Sequence, residues 1–138
     1  MFKKIHVFRI KPKQELLDSI NRYCLKSGIT SGIIIGIIGS LHNAKLNFLK
    51  ALPGQYDSVD YNGPLEIVCA QGSIALKDNT QVVHIHLQLS TENLCCGGHL
   101  ASAVVFSTAE VTIGELDYQL IRHLDSYTGL NELADQML

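Results

Sequence analysis

Residues 30–41, Thr-Ser-Gly-Ile-Ile-Ile-Gly-Ile-Ile-Gly-Ser-Leu, are almost wholly apolar and β-branched, with glycines at 32, 36 and 39. β-Branched side chains lose rotamer freedom in a helix and pack well on a pleated sheet, so this run predicts a buried strand. It is far too short to cross a bilayer. Its glycines mark kinks or bulges. They do not make a phosphate loop: Gly36 and Gly39 lack the Lys-Ser/Thr ending of a P-loop and the strand-turn-helix spacing of a dinucleotide fingerprint.

The other segments follow the same two-residue period. Residues 5–10 alternate as an opening strand, residues 44–49 as a shorter one, and residues 65–76 read as two strands or as one broken at Gly72. Residues 53–62 form a polar loop, closed by Gly63-Pro64, and residues 77–80 a turn. One segment has a helical period: after Pro12, suited to a first helical turn, Leu16, Leu17, Ile20, Tyr23 and Cys24 recur until Gly28 stops the pattern. Residues 99–113 are β-rich, with Glu110 as an interruption. In the tail, Tyr118, Leu120, Ile121 and Leu124 suit a closing strand or arm, and Leu130, Leu133 and Met137 a short C-terminal helix. Strands without regular helical alternation predict an α+β domain, mainly antiparallel sheet.

The length of 138 residues fits a single domain over residues 1–138, with an active site that would draw on a neighbouring subunit if it is extended. Eleven Lys and Arg against 13 Asp and Glu leave a net charge of −2, which excludes a global basic field for nucleic acid. The basic residues Lys3, Lys4, Arg9, Lys11 and Lys13 form only a modest local patch. No apolar segment follows Lys3-Lys4, so the chain reads as cytoplasmic and free of the membrane. Cys24, Cys69, Cys95 and Cys96 show no disulfide spacing and are expected as reduced thiols.

Chemistry concentrates in residues 84–100. Residues 82–89 alternate, so His84 and His86 share one face of a strand, and His99 follows a Gly-Gly pair after a turn at Thr91-Glu92-Asn93. Pairing Ser90 opposite Leu94 places His99 opposite Ile85, on the wrong face; a one-residue bulge at Gly97-Gly98 would correct it. Three imidazoles with an open fourth position form a ligand-exchanging zinc site; otherwise they are polar residues on a wet sheet face. Cys95 and Cys96 lie close enough in sequence to join the ligand shell.

These residues resemble a known family, the PPC domain (plants and prokaryotes conserved). The likeness spans nearly the whole chain. It is carried by residues 36–41 with Ala44 and Leu46, by residues 63–67 with Gly72, and by His84-Ile85-His86 with Gly97-Gly98-His99-Leu100. Glu110-Val111, Ile113, Arg122, Asp125 and Gly129-Leu130 follow it too. The resemblance implies an antiparallel sheet flanked by helices, assembled as a homotrimer, with zinc held by the counterparts of His84, His86 and His99. Glu66, Glu110 and Arg122 are then candidates to orient a water, a small anion or another small ligand in the pocket. No nucleophile-base pair is visible and no substrate is named by the sequence. Plant members add AT-hooks, to which their DNA contact is attributed. This chain has no Arg-Gly-Arg-Pro hook and carries Pro64 and Leu65 where plant proteins have Arg and Phe, so a DNA-associated regulatory module is the alternative reading.

Overall fold

The computed structural model describes residues 1–134. Five long strands, β1 (Phe2–Ile10), β2 (Gly32–Ala51), β3 (Gln55–Lys77), β4 (Thr80–Ser90) and β5 (Cys95–Leu116), form one antiparallel sheet in the order β1-β5-β2-β3-β4. β5 also pairs with β4, so the sheet closes on itself. A helix, α1 (Leu16–Ser27), lies on one face, and a short hairpin of β6 (Arg122–Leu124) and β7 (Asn131–Leu133) ends the described chain. The expectation of a sheet flanked by helices is therefore corrected: among the described residues α1 is the one helix. No helix there is long and apolar enough to cross a membrane.

Directly opposed residues of antiparallel strands share a face, so the register sorts the side chains. His6, Ile113, Ile34, Gly72 and Ile85 form one row across all five strands, and its large side chains are buried. The helix covers this face with Leu16, Ile20 and Cys24. One residue along, Ile5, Gly114, Ile33, Ser73 and His84 form the adjacent row, facing the other way.

Four expected breaks are absent. Residues 30–41 and 44–49 join in the single strand β2, whose register shifts absorb the glycines and the His42-Asn43 step. β3 runs unbroken from the supposed polar loop through Gly63-Pro64 and Gly72. There, Leu41 faces Leu65 and Asn43 faces Asn62, so Gly63 and Pro64 together oppose one residue. That bulge accommodates a proline with no N–H to donate. β5 likewise continues through Glu110, which is opposed by Arg9 and Ile38.

The helix starts later than Pro12. Lys13 has a left-handed φ of 67° and gives its N–H to the Val105 carbonyl at 2.9 Å, which holds the preceding segment against β5. Glu15 caps the helix by accepting from the Asp18 N–H and, with its other carboxylate oxygen, from the Ala103 N–H at 2.8 Å. Gly28, at φ 69°, ends the helix as expected. Among the described residues the C-terminal helix is not found: Leu133 lies in β7, paired with Arg122, and Leu130 just precedes that strand, while Met137 lies outside the described residues.

Candidate metal centre

On β4, Ile85, Leu87 and Leu89 are buried, so His84, His86 and Gln88 project from the opposite face. β5 returns after a four-residue turn in which the Thr91 Oγ1 accepts from the Asn93 and Leu94 N–H groups at 3.3 and 3.1 Å. Ser90 consequently faces Cys95, and the register runs without interruption to His86 opposite His99. The expected bulge at Gly97-Gly98 is therefore corrected. His99 reaches the right face because the turn is one residue longer.

The two glycines matter for clearance. A Cβ at Gly97 would lie 2.9 Å from the Leu87 carbonyl oxygen, and one at Gly98 3.2 Å from the Phe48 ring. His99 is paired at once with His86 on β4 and with Asn47 on β2, where the closed sheet brings three strands together.

The three imidazoles meet. One ligand nitrogen from each of His84, His86 and His99 lies within 4.8 Å of the others, and the Nε2 atoms of His84 and His86 are 3.1 Å apart. Tetrahedral zinc, with bonds of about 2.0–2.1 Å, holds its nitrogens about 3.3 Å apart, so closure asks for small side-chain movements. Burial, the neighbouring His99 and Arg122, and His86 hold His84 down at about 4. Burial, then His86 and Arg122, lowers His99 as well. Both therefore offer neutral lone pairs at neutral pH, as a metal requires.

Arg122 comes from the tail and is buried, 6% exposed. Its Nη1 donates to the Asn131 carbonyl at 2.8 Å, and its Nη2 donates to Ser73 Oγ at 2.8 Å and to His84 Nδ1 at 3.1 Å. Among the described residues its Nε has no partner. A guanidinium only donates, so in this arrangement His84 accepts at Nδ1 and carries its proton on Nε2. For Nε2 to bind a metal, that proton must move to Nδ1, and the contact with Arg122 must open.

A cavity of about 530 Å³ joins these groups, lined also by Asn47, Tyr56 and Glu132. The Gly54 N–H donates to the Thr128 carbonyl at 2.9 Å, tying the tip of the β2–β3 hairpin to the tail beside this cavity. Of the three pocket candidates only Arg122 lines it. Glu66 is exposed between Ser40 and Ser90, and Glu110 is exposed between Arg9 and Ile38. Asn47, Tyr56, Ser73 and Glu132 escaped the sequence reading. They come from separate segments and share no motif.

A family model described as the Plants and Prokaryotes Conserved (PCC) domain matches residues 1–117. The chain belongs to this family. Among solved structures, a metal-containing protein of Archaeoglobus fulgidus is 28% identical, with a TM-score of 0.91 over 98% of this chain and 96% of that one. A plant- and prokaryote-conserved (PPC) protein of Pyrococcus horikoshii is also 28% identical, with a TM-score of 0.89 over 100% and 96% of the two chains. A Bacteroides thetaiotaomicron protein named for a suspected DNA-binding role, at 24% identity and a TM-score of 0.89 over 97% and 96%, shares the fold. Two curated relatives, each the bifunctional protein GlmU of a Synechococcus strain, are 28% and 29% identical over 94% and 96% of this chain. The chain spans about a fifth of their length, since the match takes in 20% of each.

In this PCC domain no cysteine joins the histidine group among the described residues. Cys95 accepts from Gln88 Nε2 at 3.3 Å, and burial together with Cys95 raises the Cys96 thiol. Burial pushes Cys24 up to about 12, which leaves it an inert core thiol. The N-terminal basic patch is partly engaged: Lys3 pairs with Glu115 at 2.6 Å, and Arg9 donates to Thr108 at 2.9 Å.

Proposed function

We propose that this PCC domain is a homotrimeric metal-binding protein in which His84, His86 and His99 hold zinc. The observation that carries the reading is the convergence of three imidazole nitrogens within 4.8 Å on one sheet face. Three imidazole nitrogen donors and an adjoining cavity suit a zinc ion with an exchangeable fourth ligand. Such an ion would supply Lewis acidity to whatever occupies that position. The metal-containing relative from Archaeoglobus supports the reading.

Assembly is supported by the open sheet face. Ile5 and Val7 on β1 and Ile38 on β2 lie on the same face, and Val7 and Ile38 are 70% and 72% exposed. A second copy covering them would remove apolar surface from water. The DNA-associated alternative draws on the Bacteroides protein's name, while Lys3 and Arg9 are already engaged within the chain.

Metal analysis of protein purified without added metal tests the proposal. One zinc per chain is expected, and a chain that carries none and takes up none on titration overturns it. Sedimentation equilibrium tests the trimer separately.

A further inference from the structure

We propose that Arg122 is the receptor for an oxyanion, the carboxylate or phosphate group of a small ligand that shares the cavity with the metal. The inference rests on the zinc reading and adds the ligand class. A buried cation normally has a carboxylate partner, because removing a charge from water is costly. Arg122 has none within ion-pair distance among the described residues; Glu132 lines the same cavity and acts on it only at longer range.

The unused capacity lies on one edge of the guanidinium. Nε and Nη2 form a parallel pair of donors that matches two oxygens of one carboxylate or phosphate. Nε has no partner among the described residues and is shielded from water, while Nη2 is held by Ser73 and His84. In this arrangement that edge is closed.

Metal binding would loosen it. If His84 gave Nε2 to an ion, its Nδ1 would carry hydrogen and face Nη2 donor to donor; that contact would be lost, Nη2 would keep only Ser73 Oγ, and one tie fewer would hold the Nε–Nη2 edge away from the cavity. A volume of about 530 Å³ beside the histidines accommodates a small organic acid or phosphate compound. The two ligands are thereby coupled: metal first, oxyanion second.

Cobalt(II)-loaded protein, whose visible spectrum reports on the ion's open position, tests this with acetate, inorganic phosphate and chloride. Acetate or phosphate should change the spectrum saturably. Arg122→Gln should weaken that binding about tenfold or more while cobalt content stays at one per chain. Chloride, which cannot span two donors and feels only the lost charge, should lose less affinity in the variant than acetate or phosphate does. The comparison of acetate with phosphate identifies the preferred group. Equal oxyanion affinity in the two proteins, or no response to either oxyanion, overturns the inference, whereas failure of cobalt uptake overturns the metal reading. Should the variant not fold, the Arg122 Nε–H resonance of zinc-loaded wild-type protein gives the answer: it shifts on adding phosphate, or the inference is wrong.

Discussion

His86 and His99 stand directly opposite each other across β4 and β5, with ring centroids 5.5 Å apart and planes at 83°. Their meeting is a consequence of strand register. Side chains alternate with a period of two, so a slip of one residue would send His99 into the core and remove it from the site.

His86→Ala should therefore abolish tight metal binding while leaving the fold in place. The side chain is exposed and belongs to no core cluster, so the metal-free variant should melt within about 0.5 kcal/mol of wild type. Metal content after dialysis and the melting curve of the metal-free protein check the two halves. If trimer mass and melting temperature collapse along with metal binding, the ion is structural and the site is not one for exchangeable ligands.

The strands around His84 and His86 were legible because one face is buried: Ile85 and Leu87 must point inward, which fixes their neighbours outward. The approach of His99 was not legible, since a turn of three residues and one of four give opposite faces. The choice was made by the Thr91 hydroxyl, which organises the longer turn. Glycine and proline were misread as strand ends because bulges in a long strand use the same residues as turns. Leu130 and Leu133, three apart, look helical, yet the pairing of Arg122 with Leu133 makes the segment from 131 to 133 a strand. Asn47 reaches the cavity, and Ser73 reaches Arg122, from distant parts of the sequence through the pairing of the long strands, for which local periodicity carries no signal.

Gly72 should prove as important to the site as a ligand. It lies opposite Ile85, and a Cβ there would collide with the His84 carbonyl oxygen. Gly72→Ala must push β4 away from β3 at the residue that carries the first imidazole. A loss of at least about 2 kcal/mol in urea unfolding is expected, together with weaker zinc binding. Normal zinc affinity in this variant would show that the site tolerates displacement of β4.

Arg122→Gln should tighten zinc binding in buffer free of oxyanions. It removes a positive charge beside the ion and places an amide carbonyl near His84, which can accept from Nδ1–H where a guanidinium cannot. Outer hydrogen-bond partners of ligating histidines typically change metal affinity 10–100-fold, so about a tenfold gain is expected. Competition with a chromogenic chelator measures it. An unchanged or weaker affinity would mean that Arg122 does not oppose the metal.

Stability in acid should depend on Glu115, away from the metal centre. Hydrogen bonds from Lys3, at 2.6 Å, and then from His6, at 3.0 Å, hold this buried carboxyl below its usual value of 4.5. The folded state thus binds fewer protons than the unfolded chain as pH falls through that range, so unfolding is favoured by acid. The contribution is fully present above pH 4.5 and is lost as pH falls through the lowered folded value. Glu115→Gln should cost on the order of 1 kcal/mol at pH 7, and its deficit relative to wild type should be flat down to about pH 5 and shrink below it. Paired urea melts from pH 7 to pH 3 measure the difference; a deficit that stays constant to pH 3 would show that the bonds to Lys3 and His6 do not favour the charged carboxylate.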